Sequence, residues 1–284
     1  MGNTNKQNST GRSISENTPI ALTIAGSDSG GGAGIQADLK TFSALGAYGA
    51  SVITALTAQN TQTVSAIHEV PPAFITEQLM SVLGDLTVTA IKVGMLASPD
   101  IIHAVADVLK QHRDIPVVLD PVMVAKSGDS LLSDDALGAL KERLCPLATV
   151  ITPNLPEAAK LLACDEAVNE AEVRQQAQEL IETGVAAVLV KGGHLSGNMS
   201  TDILISNGSI LEFPHTRIDT KNTHGTGCTL SSAIAAGLAK GCDLETAVAG
   251  AQSYVHDAIC AADELRIGHG HGPVHHFHAL WPRQ

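Results

Sequence analysis

What most constrains this chain is an alternation that runs through nearly all of it. From residue 19 onward, short β-branched apolar runs take turns with longer stretches of helical period. The apolar runs are IALTIAG (20–26), SVITALTA (51–58), VTAIKVGM (88–95), PVVLDPV (116–122), ATVITP (148–153) and AAVLVKGG (186–193), each bounded by Gly, Pro or Asp. They are apolar almost throughout rather than at every second position, as strands buried on both faces of a parallel sheet are. Between them, GIQADLKTFSALG, PAFITEQLMSVLG, SPDIIHAVADVLKQH, SDDALGALKERL and NEAEVRQQAQELIETG carry the spacing of helices. Ser98-Pro99 is a helix start and Gly184 a helix stop. Strands joined by helices need right-handed crossovers, and this predicts an α/β fold: a three-layer α/β/α sandwich with a mostly parallel central sheet. The pattern changes once. TDILIS-NG-SILEFP (201–214) is a β-hairpin signature around Asn207-Gly208, adding antiparallel strands at the sheet edge. Two helices follow, near 226–240 and 243–262.

No linker-like stretch and no internal repeat interrupts residues 20–280, so residues 19–284 read as one domain behind a polar, disordered tail over 1–18. That tail lacks the apolar segment of a secretory signal. Aromatics make up only 2% of the 284 residues against 44% hydrophobic, so the core must be aliphatic and alanine-rich. No apolar run approaches the roughly 18 residues of a membrane span. A formal net charge of −12 disfavours nucleic acid and anionic membrane as partners. Any phosphate must then be held by local devices. The five cysteines are scattered and odd in number, which suggests reduced thiols and a cytoplasmic setting.

Four constellations could carry chemistry. AGSDSGGGAGIQADLK (25–40) follows the first strand. It lacks the Gly-Lys-Ser/Thr of a phosphate-binding P-loop, and no acid stands where a dinucleotide fold needs one for the ribose, the next being Glu69. What survives is a glycine-rich turn with Asp28 and Asp38 nearby, either a ligand loop or a tight turn with a capping Asp. Next, Asp120 ends one strand, and Asn154 and Glu157 follow another. They are placed to hold Mg²⁺ through water, or Asn154 and Glu157 form only a capping box. Lys191 ends the sixth apolar run, either solvated or aimed at a phosphate. Finally, NTHGTGCTLSSAIAAGLAKG (222–241) opens a helix near Thr226, whose first amides and dipole suit an anion. The same field is expected to lower the pKa of Cys228 and make it a base. The plain alternative is a small buried side chain.

Together these stretches, with VITALTAQNT, KVGML, LDPVM, AKSGD, ITPNLPEA, VKGGH and GPVHHFHA, resemble the ribokinase-like family of small-molecule kinases. Within it they are most similar to the hydroxymethylpyrimidine/phosphomethylpyrimidine kinases of thiamine biosynthesis. The resemblance runs from about Ile20 to Trp281. It implies ATP-dependent phosphorylation of a hydroxymethylpyrimidine and then of its monophosphate, with Mg²⁺ as cofactor. Pyridoxal or pyridoxine kinase activity on the same fold is the alternative. Residue by residue, it implies that Gly225, Thr226 and Gly227 form an anion hole beside the base Cys228. Asn154 and Glu157, with Asp120, would organise Mg²⁺ and the triphosphate, and Lys191 would contact phosphate. Gln59 would read the pyrimidine edge, with Gly26, Asp38, Met95 and Val122 lining the same pocket. It also suggests a homodimer, for which the exposed hairpin would serve as interface. The histidine-rich GHGHGPVHHFH (268–278) could pass for a metal site; the resemblance favours a structural or pocket-edge role, leaving His269 and His271 unexplained.

Overall fold

The computed structural model describes residues 18–123, 133–194 and 197–282. The tail expected over residues 1–18, apart from Thr18, and the AKSGD motif at 125–129 lie outside the described residues. Among the described residues, nine strands form one sheet in the order β3-β2-β1-β4-β5-β6-β7-β8-β9. The parallel part is β1 (Ile20–Ser27), β2 (Tyr48–Gln59), β4 (Ala90–Val93), β5 (Val117–Leu119), β6 (Val150–Ile151) and β7 (Ala187–Val190). The six predicted runs all become strands, most of them shorter than the apolar runs that announced them.

The hairpin forms as β8 (Met199–Ser206) and β9 (Ser209–Thr216), with Asn207 and Gly208 both at positive φ. The expectation of a single antiparallel excursion needs correcting. β3 (Val64–Glu69) pairs antiparallel with β2 at the opposite edge. Five of its six residues are exposed, so it buries no stripe that a periodicity could reveal.

Side-chain parity along the strands sorts the core into two layers. Leu22, Ile24, Ile91, Val93, Val117 and Leu119 pack with α2 (Pro72–Asp85), α3 (Pro99–Leu109), α4 (Asp134–Ala139), α5 (Leu155–Leu162) and α6 (Glu170–Glu182). Their neighbours Ala21, Ala90 and Val118 face α1 (Gly34–Ala44), α7 (Thr226–Ala239) and α8 (Leu244–Cys260). The predicted helix over 133–144 is α-helical only in its first half and continues as a π-turn over Leu140–Leu144.

From β1 the chain moves one way to β2 and returns to place β4 on the other side of β1. At such a switch point the loops beyond the carboxyl ends part, which is where open α/β sheets bind ligands. No helix among the described residues is long and apolar enough to cross a membrane.

Candidate active site

A cavity of about 580 Å³ opens over the carboxyl ends of the parallel strands. Gly26 and Asp28 reach it from the end of β1, Gln59 from β2, and Met95 from beyond β4. Asp120 and Val122 follow β5, Asn154 and Glu157 follow β6, Lys191 follows β7, and Gly225, Thr226, Gly227 and Cys228 come from the start of α7. Of the site residues expected from sequence, Asp38 alone does not line it.

Asp38 is fully buried behind the wall. Lys92 Nζ donates to both its carboxylate oxygens at 2.9 and 2.8 Å, Thr23 Oγ1 donates to it at 2.6 Å, and Ser232 Oγ at 2.6 Å. With two hydroxyls and an ammonium already directed at it, Asp38 anchors the fold, and Lys92 borders the cavity in its place. Burial works against the Lys92 charge, but Asp38 beside it, with Cys228 and Asp120, holds its pKa above the ordinary lysine value. A charged residue inside the apolar run VTAIKVGM was the available signal for such a partner.

At one end of the cavity, Lys191 Nζ lies 2.9 Å from Asp120 Oδ1 and 3.8 Å from Glu157 Oε2. Asn154 caps α5: its side chain accepts from the Glu157 amide at 2.9 Å, and the Asn154 amide donates to Glu157 Oε2 at 2.8 Å. The capping box and the cavity role therefore coexist, since Glu157 is anchored through the same oxygen that faces Lys191. Burial raises the Glu157 pKa to about 6 despite the lysine. Asp120 feels the same burial, but Lys191 and Lys92 hold its carboxyl below the usual range. Two buried carboxylates sharing one lysine remain short of positive charge, which fits a divalent cation. Among the described residues no group of three or more His, Cys, Asp or Glu could hold a metal alone. A cation suited to this place is one that keeps waters and arrives with phosphates.

Opposite lies the start of α7. Gly225, its N-cap, has φ +80, and a Cβ there would collide with the Gly32 carbonyl oxygen. The first amides of a helix have no carbonyl one turn back. Here Thr226 N–H donates to the Thr223 carbonyl at 3.3 Å, which leaves those of Gly225, Gly227 and Cys228, all lining the cavity, as the donors without a partner among the described residues. The missing side chain of Gly227 leaves room beside Lys191 and Asp120: a Cβ there would stand 3.5 Å from Lys191 Nζ.

Cys228 is half-buried in this first turn. Its expected low pKa is not found. Burial pushes the thiol up to about 11, with Lys92 pulling it down and Asp38 and Asp120 pushing it further up. Removal from water together with two nearby carboxylates outweighs the helix field.

Asp28, read from the sequence as either a ligand-loop or a capping residue, and His224, quoted there without a role, complete the opposite wall. Asp28 accepts amide hydrogens from Gly30, Gly32 and Ala33, and His224 Nε2 lies 2.9 Å from its Oδ2. The same nitrogen is 3.4 Å from the Gln59 amide. The position of His224, directly before the Gly-Thr-Gly, was the signal for it.

In the histidine-rich segment, His276 Nε2 is 3.1 Å from Thr229 Oγ1 in the first turn of α7. Burial lowers the His276 pKa to about 3, so the ring is neutral, and because the Thr229 hydroxyl donates to the Gly225 carbonyl at 2.8 Å, His276 Nε2 is the donor to it. The backbone at 272–274 bonds His224 on both sides. This is a structural, pocket-edge role.

Comparison with known proteins follows the geometry. A profile described as phosphomethylpyrimidine kinase matches residues 28–275. The chain is 58% identical over 264 residues to a hydroxymethylpyrimidine/phosphomethylpyrimidine kinase of Rhizobium meliloti, covering 93% of this chain and 99% of that one. A protein of the same description from Escherichia coli is 53% identical, covering 92% and 98%. The solved structure of a Bacillus subtilis pyridoxal kinase in complex with ADP superposes with a TM-score of 0.84 at 37% identity, covering 92% of this chain and 98% of that one. A cavity at the sheet's switch point, a profile spanning most of the chain and relatives matched end to end agree: this chain belongs to the phosphomethylpyrimidine kinase family.

Proposed function

We propose that this kinase transfers the γ-phosphoryl group of ATP to 4-amino-5-hydroxymethyl-2-methylpyrimidine, and then a second one to the monophosphate, in thiamine biosynthesis. The observation that carries this reading is one cavity in which Cys228 and the amide-rich start of α7 face Lys191, Asp120 and Glu157, with Gln59 on the far wall. The relatives at 58% and 53% identity bear this activity in their names.

In the first step the hydroxymethyl oxygen bonds to the γ-phosphorus. The bond from that phosphorus to the bridging oxygen breaks, ADP leaves, and the hydroxyl proton passes to the thiolate form of Cys228, the minor form at neutral pH. The amides of Gly225, Gly227 and Cys228 hold the charge spread over the transferring group, and Thr226, whose amide donates to the Thr223 carbonyl, keeps the loop that carries them closed. Lys191 stands against the phosphates, and Asn154 positions the nucleotide side by fixing Glu157. Mg²⁺ is the cation that suits Asp120 and Glu157, and when bound it neutralises charge on the triphosphate. In the second step the acceptor is a phosphate oxygen of the monophosphate.

The pyridoxal kinase reading shares the architecture, as the Bacillus subtilis structure does, but the Gln59 amide suits an aminopyrimidine edge better. We assign residues 19–284 to one kinase domain working in the cytoplasm as a homodimer. Both sheet edges expose apolar side chains, Met199 and Ile210 on the β8–β9 hairpin and Leu56 and Ile67 on the β2–β3 ribbon, and the hairpin is the interface we assign. Incubation with Mg·ATP and the hydroxymethylpyrimidine should give monophosphate and then diphosphate by mass spectrometry. Faster turnover of pyridoxal would assign the enzyme to the alternative.

A further inference from the structure

Hydrogen-bond direction around Asp28 settles more than the loop it caps. Asp28 is 3% exposed, and every near neighbour of its carboxylate is a donor: Gly30 N at 2.8 Å, Gly32 N at 3.0 Å and Ala33 N at 2.9 Å. Burial works against its charge, but the His224 bond and these amides prevail and keep the carboxyl below its ordinary value. It is therefore an acceptor only. His224 Nε2, 2.9 Å from Oδ2, must then carry hydrogen, whether the ring is neutral or charged. The ring fits there because Gly32 has no side chain; a Cβ would meet His224 Cδ2.

The consequence passes to Gln59. One end of its amide is 3.4 Å from His224 Nε2 and the other 3.2 Å from Thr57 Oγ1. With its one hydrogen directed at Asp28, His224 Nε2 has no lone pair for an NH₂ group, so the amide oxygen is the end that suits it. Thr57 spends its only proton on the Ser27 carbonyl at 2.9 Å and offers Gln59 a lone pair, so the atom there must be the NH₂ group. The structure places Nε2 at the His224 end, donor against donor. The two ends of an amide match in shape, and the partners on both sides require them exchanged.

We propose that the Asp28–His224 pair locks the Gln59 amide in this orientation and so fixes which way round the substrate ring lies. The inference rests on the pyrimidine-kinase reading above. Along the edge of a 4-amino-5-hydroxymethylpyrimidine come the ring nitrogen N3 (an acceptor), the amino group (a donor) and then the hydroxymethyl arm. The locked amide offers N–H at the Thr57 end and oxygen at the His224 end. N3 therefore lies toward Thr57 and the amino group toward His224. The arm, beyond the amino group, falls on the side where His224 runs into Gly225 and the start of α7. A reversed amide would direct the arm toward β2, away from Cys228. Asp28 and His224 are thus positioning residues that select among ring orientations.

The test compares this substrate with its 4-oxo analogue, in which N3–H donates and the oxygen accepts, the inverse pattern. Wild-type kcat/KM should favour the amino compound by about 10²-fold or more, because the oxo edge leaves buried groups unpaired. In His224→Phe, which keeps a ring but loses the donor, that ratio should fall at least about tenfold with Tm little changed. An unchanged ratio in the folded variant overturns the lock. A second measurement needs no variant. Long-range ¹⁵N spectra of histidine-labelled wild-type protein should show His224 protonated at Nε2, and an unprotonated Nε2 overturns the lock even if the variant misfolds. Failure of wild-type enzyme to phosphorylate the aminopyrimidine would sink the functional reading instead, leaving the tautomer result to decide the lock.

Discussion

At the scale of single residues, Cys228 carries the sharpest expectation. With its thiol pushed up to about 11, only about one molecule in 10⁴ holds a thiolate at neutral pH. The base form grows as pH rises toward that value, so log kcat/KM should climb between pH 7 and 9 without levelling. Cys228→Ala should lower turnover by about 10²-fold or more, leave pyrimidine binding near normal by calorimetry, and abolish the slope. A flat wild-type profile would take the proton-accepting role away from this thiol. Sequence disclosed the sulfur's position in the first turn, but not its pKa. The carboxylates that oppose ionisation, Asp38 and Asp120, come from residues far off in the chain. Asp38 was misplaced for the same reason: three of its four hydrogen bonds come from Lys92 and Ser232, on elements that only the folded sheet brings to it.

At the scale of elements, the start of α7 is set by one contact. Gly225 sits at φ +80 with the Gly32 carbonyl where a Cβ would be, so strain and collision coincide. Gly225→Ala should therefore shift the helix start, lower kcat by an order of magnitude or more, and cost about 1–3 kcal/mol of stability, read by urea denaturation. Wild-type kcat in a folded variant would show that the amides need no such seat. Elements that bury a face were legible: the parallel strands by their unbroken apolar runs, and α5 by its N-L-P-E start. β3 was not, because Ser65, Ala66, Ile67, His68 and Glu69 are all exposed and leave no contrast to read.

At the scale of the whole molecule, the Lys92–Asp38 pair joins four elements. Thr23 of β1, Lys92 of β4, Asp38 of α1 and Ser232 of α7 meet at one fully buried point. Breaking such a pair leaves a charge with no solvent, so Lys92→Met should cost about 3–5 kcal/mol in chemical denaturation. Adding Asp38→Leu should recover part of that loss, since the remaining charge goes too. A destabilisation below 1 kcal/mol for the single change would mean that water reaches the pair. The three layers and the mostly parallel sheet were legible from alternation, whereas the order of its strands was not, and this cross-layer tie pairs residues 54 positions apart and leaves no local trace.

The bond from His276 to Thr229 implies an order of events in synthesis. The loop before α7 gains its edge partner only when the strand-like stretch at 272–274 lies alongside it. In a growing polypeptide all nine strands described above thus emerge before residues 272–276, which hold that loop and the first turn of α7 in place.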